Sequence, residues 1–247
     1  RFTRAIDILE SDPEGLLREP LRHGELLRSR FSRAQTLALL GQQNREKYRQ
    51  AMADYLWLLE QKDVDGTPIG ESDKYLRIDY DLASCYMGLG DWKKAMPLFR
   101  KIIERGHPDG AVRAAHYSLG QIYRSQSRIK EAVAEFEATW KIVQDRGTLR
   151  DRYRLVGEFS EVLLEDNQPE RAREILAPVL RDLEKSSAED LRDGRKHHLY
   201  RLAKIHNERK RIRSARTVLN EALKIDPNYG PALLSLATIE EQRGDLE

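Results

Sequence analysis

The sequence predicts an all-α protein built from repeated pairs of antiparallel helices. A large apolar residue followed by a small one occurs five times along the chain, and the first four pairs are each followed by an alanine 12 residues after the small residue. Only nine prolines and fifteen glycines interrupt 247 residues, and no strand pattern is convincing. A charged fraction of 34% and a mean hydropathy of −0.69 favour an elongated molecule over a compact globule, because an elongated molecule keeps more surface in water.

The first helix of each predicted pair carries the large and small residues. These pairs are Leu82-Ala83, Leu119-Gly120, Phe159-Ser160, Leu202-Ala203 and Leu236-Ala237. Four residues after each large residue come Tyr86, Tyr123, Leu163, His206 and Glu240. Residues four apart lie on one face of a helix. The small residue between them leaves room for a second helix to cross closely.

The second helix carries an alanine and, four residues later, a large apolar residue. The alanines are Ala95, Ala132, Ala172 and Ala215, and the large residues are Phe99, Phe136, Leu176 and Leu219. Together the two helices resemble the tetratricopeptide repeat family, in which W-x2-L-G-x2-Y is followed by A-x3-F and often by proline. Pro227 stands where a repeat ends, and Pro231 suits the first turn of the next helix.

The resemblance implies a right-handed superhelical solenoid of about five to six repeats, with a concave groove that binds peptides or helices of partners. We expect repeats near 76–109, 113–146, 153–186 and 196–229 and a half-repeat at 230–247, which together form an array at 75–247. Upstream we expect a degenerate repeat with a loop at 32–74, and at 1–31 the tail of a preceding repeat with a connector. Both ends are expected to be cuts through a longer array.

The repeats are longer than is usual for this family. Successive second-helix alanines, beginning with Ala51, lie 44, 37, 40 and 43 residues apart, against a usual period of about 34. The extra residues either lengthen helices or form loops, and Asp-Gly and Pro-Ile-Gly near 65–70 favour a loop there. Pro97 and Pro178 fall inside expected second helices, where each should remove a hydrogen bond and kink the axis.

Composition and motifs favour a binding protein over an enzyme. A net charge of +2 argues against a general nucleic-acid binder. The sequence has no P-loop, no G-x-S-x-G, no H-E-x-x-H and no apolar run long enough for a transmembrane helix. We therefore expect a cytoplasmic, non-enzymatic scaffold or adaptor that needs no cofactor or metal and binds another protein or peptide, possibly charged.

Two other assignments stay open from the sequence. The chain could be an accessory segment of a larger enzyme or transcription regulator, or part of a bacterial envelope or polarity assembly factor. The oligomeric state is unknown.

Two residue types invite chemical interpretations. Cys85 is interpreted as a buried apolar residue, with a reactive thiol as the alternative. His197, His198 and His206 suggest a metal site, but His198 and His206 would lie roughly 11–12 Å apart along one helix, too far for one metal ion without a third ligand between them. Packing is the favoured role for these histidines, because His206 occupies a position where other repeats carry tyrosine.

An acidic stretch is followed directly by a basic one. Residues 157–190 carry a net charge of −6 and residues 191–216 a net charge of +8. One interpretation is compensation between neighbouring repeats. The other is a groove with an acidic and a basic end that orients a charged partner. Contact with RNA or anionic lipid is the weaker option, because Tyr200 is the only interleaved aromatic residue in the basic stretch.

The resemblance also implies which residues line the groove, since they come from fixed positions of each first helix. On this chain they are Arg77, Tyr80, Asp81, Ser84, Tyr117, Gln121, Arg124, Arg154, Glu158, Glu161, His197, Tyr200, Arg201, Lys204 and Asn207. The tyrosines are candidates either for partner anchors or for residues that cover helix seams.

The residue set with which some family members hold a C-terminal carboxylate is absent. Ser84 and Gln121 stand where asparagine would be needed, and Tyr80 and Tyr117 stand where lysine would be. Arg201 and Lys204, one turn apart, could still bind an acidic side chain or a phosphate.

Overall fold

The computed structural model describes residues 1–11, 19–106 and 109–244. Over these residues the chain is helical, apart from turns and an isolated bridge between Lys62 and Pro68. The helices fall into two compact units, Arg1–Ile122 and Tyr123–Glu247. Among the described residues, no helix combines the length and the apolar character needed to cross a membrane.

Unit 1 contains consecutive helical hairpins. Its helices are α1 (Phe2–Ser11), α2 (Glu19–Leu40), α3 (Arg45–Leu59), α4 (Ile78–Leu89), α5 (Trp92–Arg105) and α6 (Asp109–Ser125), of which the last turn belongs to unit 2. Helix α2 packs on α3, α3 on α4, and α4 on α5. A loop with two short 3-10 helices, Ile69–Glu71 and Asp73–Tyr75, joins α3 to α4.

Unit 2 repeats the arrangement. Its helices are α7 (Ile129–Arg146), α8 (Leu149–Glu165), α9 (Pro169–Glu184), α10 (Glu189–Glu208), α11 (Ile212–Ile225) and α12 (Gly230–Gly244). Each helix packs on the next one in sequence, and α8 also contacts α10. The first helices of successive pairs therefore lie side by side.

The same turn closes four of the hairpins. One residue in each turn has a left-handed backbone: Gly90 (φ +80°), Ser127 (58°), Asn167 (57°) and Lys210 (54°). The N–H of the residue that follows the left-handed residue donates to a carbonyl in the last turn of the first helix. Asp91 donates to Tyr86 at 2.9 Å, and Arg211 donates to His206 at 2.8 Å. This shared geometry ends each first helix at the same point of the repeat.

The alanines of the repeat pattern lie where the two helices of a pair cross. Ala51, Ala95, Ala132, Ala172 and Ala215 have no exposed surface, and the large residue four positions later is buried in every case. The prediction of close helix crossings is therefore confirmed. In α12 the small residue of the first-helix pair, Ala237, is exposed, whereas its equivalent in α4, Ala83, is buried.

Several element bounds differ from those expected. Helix α2 begins at Glu19, so the boundary expected at residue 31 falls inside a helix; its buried residues Leu27 and Ala34 continue one apolar face. Between α7 and α8 the extra residues lengthen the helices, since only two residues separate Arg146 from Leu149. The loop predicted near 65–70 is present, and α5 and α9 continue through Pro97 and Pro178.

Candidate partner-binding faces

Unit 1 contains a groove of about 640 Å³ between α2, α4 and α6. Its lining residues are Phe31, Lys74, Leu76, Arg77, Tyr80, Gly110, Ala111 and Ala114. The walls are apolar, and the space exists because α6 presents only small side chains toward it. A concave apolar site with a few polar groups at its edge is the usual form of a binding site.

The aromatic walls of this groove are held by packing. The Tyr80 ring lies edge-on to Phe99 with centroids 5.7 Å apart. Phe31 lies edge-on to Tyr75 at 5.3 Å and to Tyr55 at 6.3 Å. Because both side chains are half-buried and supported from behind, the groove is largely formed before any ligand arrives.

Two cations stand at the edge of the groove. The Lys74 ammonium is 2.8 Å from Asp63, a buried carboxylate that also accepts from Ser72 Oγ (3.1 Å) and from the Val64 N–H (2.7 Å). Arg77 lies 3.4 Å from Asp81 and its side chain is 69% exposed. Lys74 and Arg77 are the charged side chains among the described lining residues, and their carboxylate partners lie outside the lining.

Asp81 lies beneath the groove rather than in its wall. Its side chain is 11% exposed and accepts a long hydrogen bond of 3.4 Å from Gln35 on α2. Burial raises the pKa of the Asp81 carboxyl above its usual value, and the nearby Arg77 guanidinium offsets only part of this rise. The expected groove position therefore holds a buried titratable group.

Cys85 is fully buried close to Asp81. Burial, with a smaller contribution from Asp81, raises the pKa of the Cys85 thiol to about 12. A thiol with that pKa is almost entirely protonated at neutral pH, so its environment is that of a packed apolar residue.

The other predicted groove residues of unit 1 are half-buried and engaged within their helices. Ser84 Oγ donates to the Tyr80 carbonyl at 2.8 Å. Gln121 Nε2 donates to the Tyr117 hydroxyl at 3.3 Å. These side chains contribute less than Tyr80 to the accessible surface of the groove.

In unit 2 three predicted groove residues pair with one another. The Arg124 guanidinium donates to Glu161 at 3.2 Å and to Glu165 at 2.6 Å, and Arg201 donates to Glu161 at 3.0 Å. The last turn of α6 is thereby linked to α8, and α8 to α10. The charges of Arg124, Glu161, Glu165 and Arg201 therefore neutralise one another within the unit.

Other contacts also join the acidic and basic stretches. Arg209 is paired with Glu170 at 2.7 Å, and Arg195 with Glu184 at 3.6 Å. Compensation between neighbouring repeats is therefore observed for these charges. Arg154 and Lys204 are exposed and form no ion pair with another described residue, so they are the two predicted groove cations of unit 2 that stay available.

In unit 2 an aromatic cluster joins α10 to the loop that follows α11. The His197 ring is edge-on to Tyr229 at 5.3 Å, with its Nδ1 3.1 Å from the hydroxyl, and Tyr200 is edge-on to Tyr229 at 6.1 Å. Burial, followed by the charge of Lys196, lowers the pKa of His197. Tyr200 and His197 therefore cover the loop between α11 and α12.

The remaining predicted residues of this face differ in exposure. Glu158 is half-buried, and Asn207 is exposed. Lys204 and Asn207 line a small pocket of about 180 Å³ with Leu219 and Leu234. The Leu234 side chain on α12 is one of the exposed apolar groups of unit 2.

The histidines are placed by packing. His198 is 2% exposed, its Nε2 lies 3.0 Å from the Tyr153 carbonyl, and its ring centroid lies 4.6 Å from that of Tyr153. His206 is half-buried. Within 1–11, 19–106 and 109–244, no three His, Cys, Asp or Glu side chains are grouped so as to hold a metal ion.

Three residues of these faces do not follow from the repeat pattern. Phe31 lies in α2, where the pattern is weak, and Tyr229 lies in a loop. Ala111 precedes the aligned part of the repeat, in the first turn of α6. The run of small residues in "DGAVRAAH" is the one sign in the sequence that α6 leaves space beside it.

The sequence matches two family models, both described as tetratricopeptide repeat. One matches residues 80–141 and the other residues 199–229. No curated protein matches the sequence. The first match covers most of α4, all of α5 and α6 and most of α7, and the second covers the second half of α10 and all of α11.

Solved structures share the fold at low sequence identity. TPR-like repeats of a putative kinesin light chain from Podosopora anserina align with a TM-score of 0.61 and 20% identity, covering 86% of this chain and 98% of that chain. YrrB, described as a TPR protein with an unusual peptide-binding site, aligns with a TM-score of 0.60 and 17% identity over 96% of this chain and 97% of that chain.

A third structure shows that the fold accompanies different roles. Aspartyl phosphate phosphatase F from Bacillus subtilis aligns with a TM-score of 0.52 and 13% identity, covering 98% of this chain and 69% of that chain. The predicted fold class, an all-α solenoid of antiparallel helix pairs, is confirmed by these likenesses. Residues 80–141 and 199–229 match tetratricopeptide repeat models, and the fold is that of a tetratricopeptide-like repeat scaffold.

Proposed function

We propose that this chain is a non-enzymatic scaffold that binds a short segment of a partner protein in the groove of unit 1. The observation that carries the proposal is the groove itself, an apolar trough between three helices with Lys74 and Arg77 at its edge. Its walls are supported by aromatic packing, so little ordering is needed when a ligand binds.

The fold is compatible with this role. YrrB, which has the same fold, is described as having a peptide-binding site. A single side chain of a partner fits the volume, and aromatic walls are the type of surface that carries much of the energy of protein recognition. In this proposal the protein acts in the cytoplasm, and a protein or peptide is its ligand rather than a nucleic acid.

The polar groups of the groove favour binding over catalysis. Lys74 and Arg77 are each paired with a carboxylate, and Ser84 Oγ donates to a helix carbonyl rather than to a base. A nucleophile needs an adjacent base to be activated. The arrangement therefore suits recognition of charge and shape.

We propose that the surface formed by α8 and α10 in unit 2 is a second contact surface. Arg154, Tyr200, Lys204 and Asn207 supply its available side chains, with Glu158 and His197 beside them. Beside them, Arg124, Glu161, Glu165 and Arg201 balance one another's charges through their ion pairs.

A selection from a random peptide library tests the principal proposal. Peptides recovered on the purified chain should bind it in solution, and Tyr80→Ala should weaken them by about tenfold or more because an aromatic wall is lost. Ala114→Leu should have a similar effect, because its side chain would occupy the groove. Isothermal titration calorimetry measures both.

Ala53→Leu is the matched control, since Ala53 is exposed on α3 and outside the groove. It should leave affinity unchanged. If Tyr80→Ala and Ala114→Leu bind the recovered peptides as tightly as the wild type, the groove is not the binding site and the proposal is wrong.

A further inference from the structure

The groove of unit 1 combines an apolar trough with a cation that is held only weakly. Resting on the function proposed above, we propose that the bound segment is an acidic peptide with an aliphatic or aromatic side chain, and that one of its carboxylates takes Arg77 from Asp81. Asp81 then takes up a proton from solvent. Peptide binding and protonation of Asp81 are thus linked.

The charge of the groove edge selects an acidic ligand. The described lining residues include two cations, Lys74 and Arg77, whose carboxylate partners Asp63 and Asp81 are buried outside the lining. An apolar side chain of the ligand would lie between Phe31, Leu76 and Tyr80, and the neighbouring carboxylates of the ligand would face the cations. A basic segment would meet like charge at the same edge.

The two cations differ in how firmly they are held. Lys74 pairs at 2.8 Å with Asp63, which two further hydrogen bonds keep in place. Arg77 makes a single contact of 3.4 Å with Asp81, and most of its side chain is in solvent. A guanidinium forms shorter, bidentate hydrogen bonds with a carboxylate that can approach it freely. Arg77 is therefore the cation that a ligand can recruit.

Asp81 cannot follow Arg77 into the groove. The groups that surround its carboxylate are Gln35 on α2, Tyr55 on α3, Cys85 on α4, and Arg77, the residue that precedes α4. Arg77 is the only cation among them. When the Arg77 guanidinium turns to the ligand, the buried Asp81 carboxylate loses its counter-charge. A buried charge without a partner is costly, so Asp81 binds a proton and becomes neutral.

The direction of the linkage follows from this loss. Burial already holds the pKa of Asp81 above its ordinary value, and Arg77 lowers it. Removal of Arg77 raises the pKa further, so the complex binds more protons than the free protein. Affinity for an acidic peptide should therefore rise as pH falls from about 7 toward about 5, where ligand glutamates are still ionised.

Calorimetry with matched probes tests the proposal on the intact chain. The first probe is a peptide with one leucine between pairs of glutamates, and its analogues carry glutamines or lysines instead. The glutamate peptide should bind about tenfold more tightly than the glutamine peptide. Titrations at about pH 6 in buffers of different ionisation enthalpy should show net proton uptake.

Variants separate the two parts of the proposal. Arg77→Gln should remove the preference for glutamate. Asp81→Asn should abolish proton uptake and bind the glutamate peptide several-fold more tightly than the wild type, because Arg77 no longer has to leave a carboxylate. Arg49→Gln, an exposed cation on α3 away from the groove, should change neither property.

Each unfavourable result has a distinct meaning. Equal affinity for the glutamate and glutamine peptides, with Ala114→Leu still blocking both, overturns this inference and leaves the proposed function standing. If the wild type binds the glutamate peptide without taking up a proton, Asp81 is not protonated on binding and that part of the proposal is wrong. This result does not depend on whether Asp81→Asn folds. Binding that ignores Ala114→Leu overturns the proposed function itself.

Discussion

Tyr80 and Asp81 are adjacent in the sequence and are both predicted to line the groove, but they have different roles. Tyr80 stands in the groove wall against Phe99, while Asp81 is buried beneath it. Neighbouring residues on a helix point about 100° apart, so one of two adjacent positions usually turns toward the next helix. The positions carried over from the family correctly place α4 beside the groove. They do not show which of its side chains reach the groove.

His198 carries a stability prediction at the residue scale. Burial, with a smaller contribution from Arg201, lowers its pKa to about 3. In the unfolded chain a histidine binds a proton near pH 6.5, so below that pH the unfolded state binds more protons than the folded one. The free energy of unfolding should fall by about 2 kcal/mol between about pH 7 and about pH 5 because of this residue.

Urea unfolding at the two pH values measures the effect. His198→Gln should be less stable at pH 7 but should lose less stability on acidification than the wild type. Tyr153→Phe keeps the backbone carbonyl beside His198, so it should retain the full pH dependence. An unchanged pH dependence in His198→Gln would show that His198 is not the group responsible.

At the scale of single elements, helix α5 shows how packing overrides a local preference. Pro97 lies inside this helix, at an exposed position, and the helix continues through it to Arg105. A proline there leaves one backbone carbonyl without its helical donor. The buried residues Ala95, Phe99 and Ile102 keep the helix in place, because they pack on the neighbouring helix α4.

Replacement of this proline should therefore stabilise the protein. Pro97→Ala restores the missing donor and should raise the free energy of unfolding by about 1–2 kcal/mol, since the helix gain of about 3 kcal/mol is reduced by the greater entropy of the unfolded chain. Thermal unfolding followed by circular dichroism measures it. Lys93→Ala, exposed on the same helix, should stay within about 0.5 kcal/mol of the wild type.

A loss of stability in Pro97→Ala would mean that the proline ring makes a favourable contact that outweighs the helix penalty.

At the scale of the whole molecule, contacts run mainly between neighbouring helices within each unit. Stability in such an array is a sum of local terms, so damage in one pair should spread only to its neighbours. Ala215 is fully buried at the crossing of α10 and α11. Ala215→Leu should overpack this crossing and cost about 1–3 kcal/mol.

Hydrogen exchange can locate the damage. Amides of α10, α11 and α12 should lose protection in Ala215→Leu, while those of α2–α5 should keep it. Thr217→Leu, exposed on the same helix, is the control and should leave protection unchanged in both units. Equal loss in both units would show that the chain unfolds as one cooperative body.

The sequence is sufficient to predict the helix pairs because their signal is local. The large-small pair, the following alanine and the apolar residue after it all lie within one hairpin, where helix geometry fixes which side chains meet. The repeat pattern alone therefore identifies Ala95, Phe99 and their equivalents as core residues. Turn-forming residues between two helical patterns likewise predict the loop before α4.

The binding groove and the ion pairs depend on the tertiary structure. Phe31, Tyr80 and Ala114 come from three different hairpins, and Glu161 and Arg201 from two. Their meeting depends on how far one hairpin is offset against the next, which the lengthened helices change from repeat to repeat. No local spacing encodes that offset, because it results from packing between surfaces that are distant in the sequence.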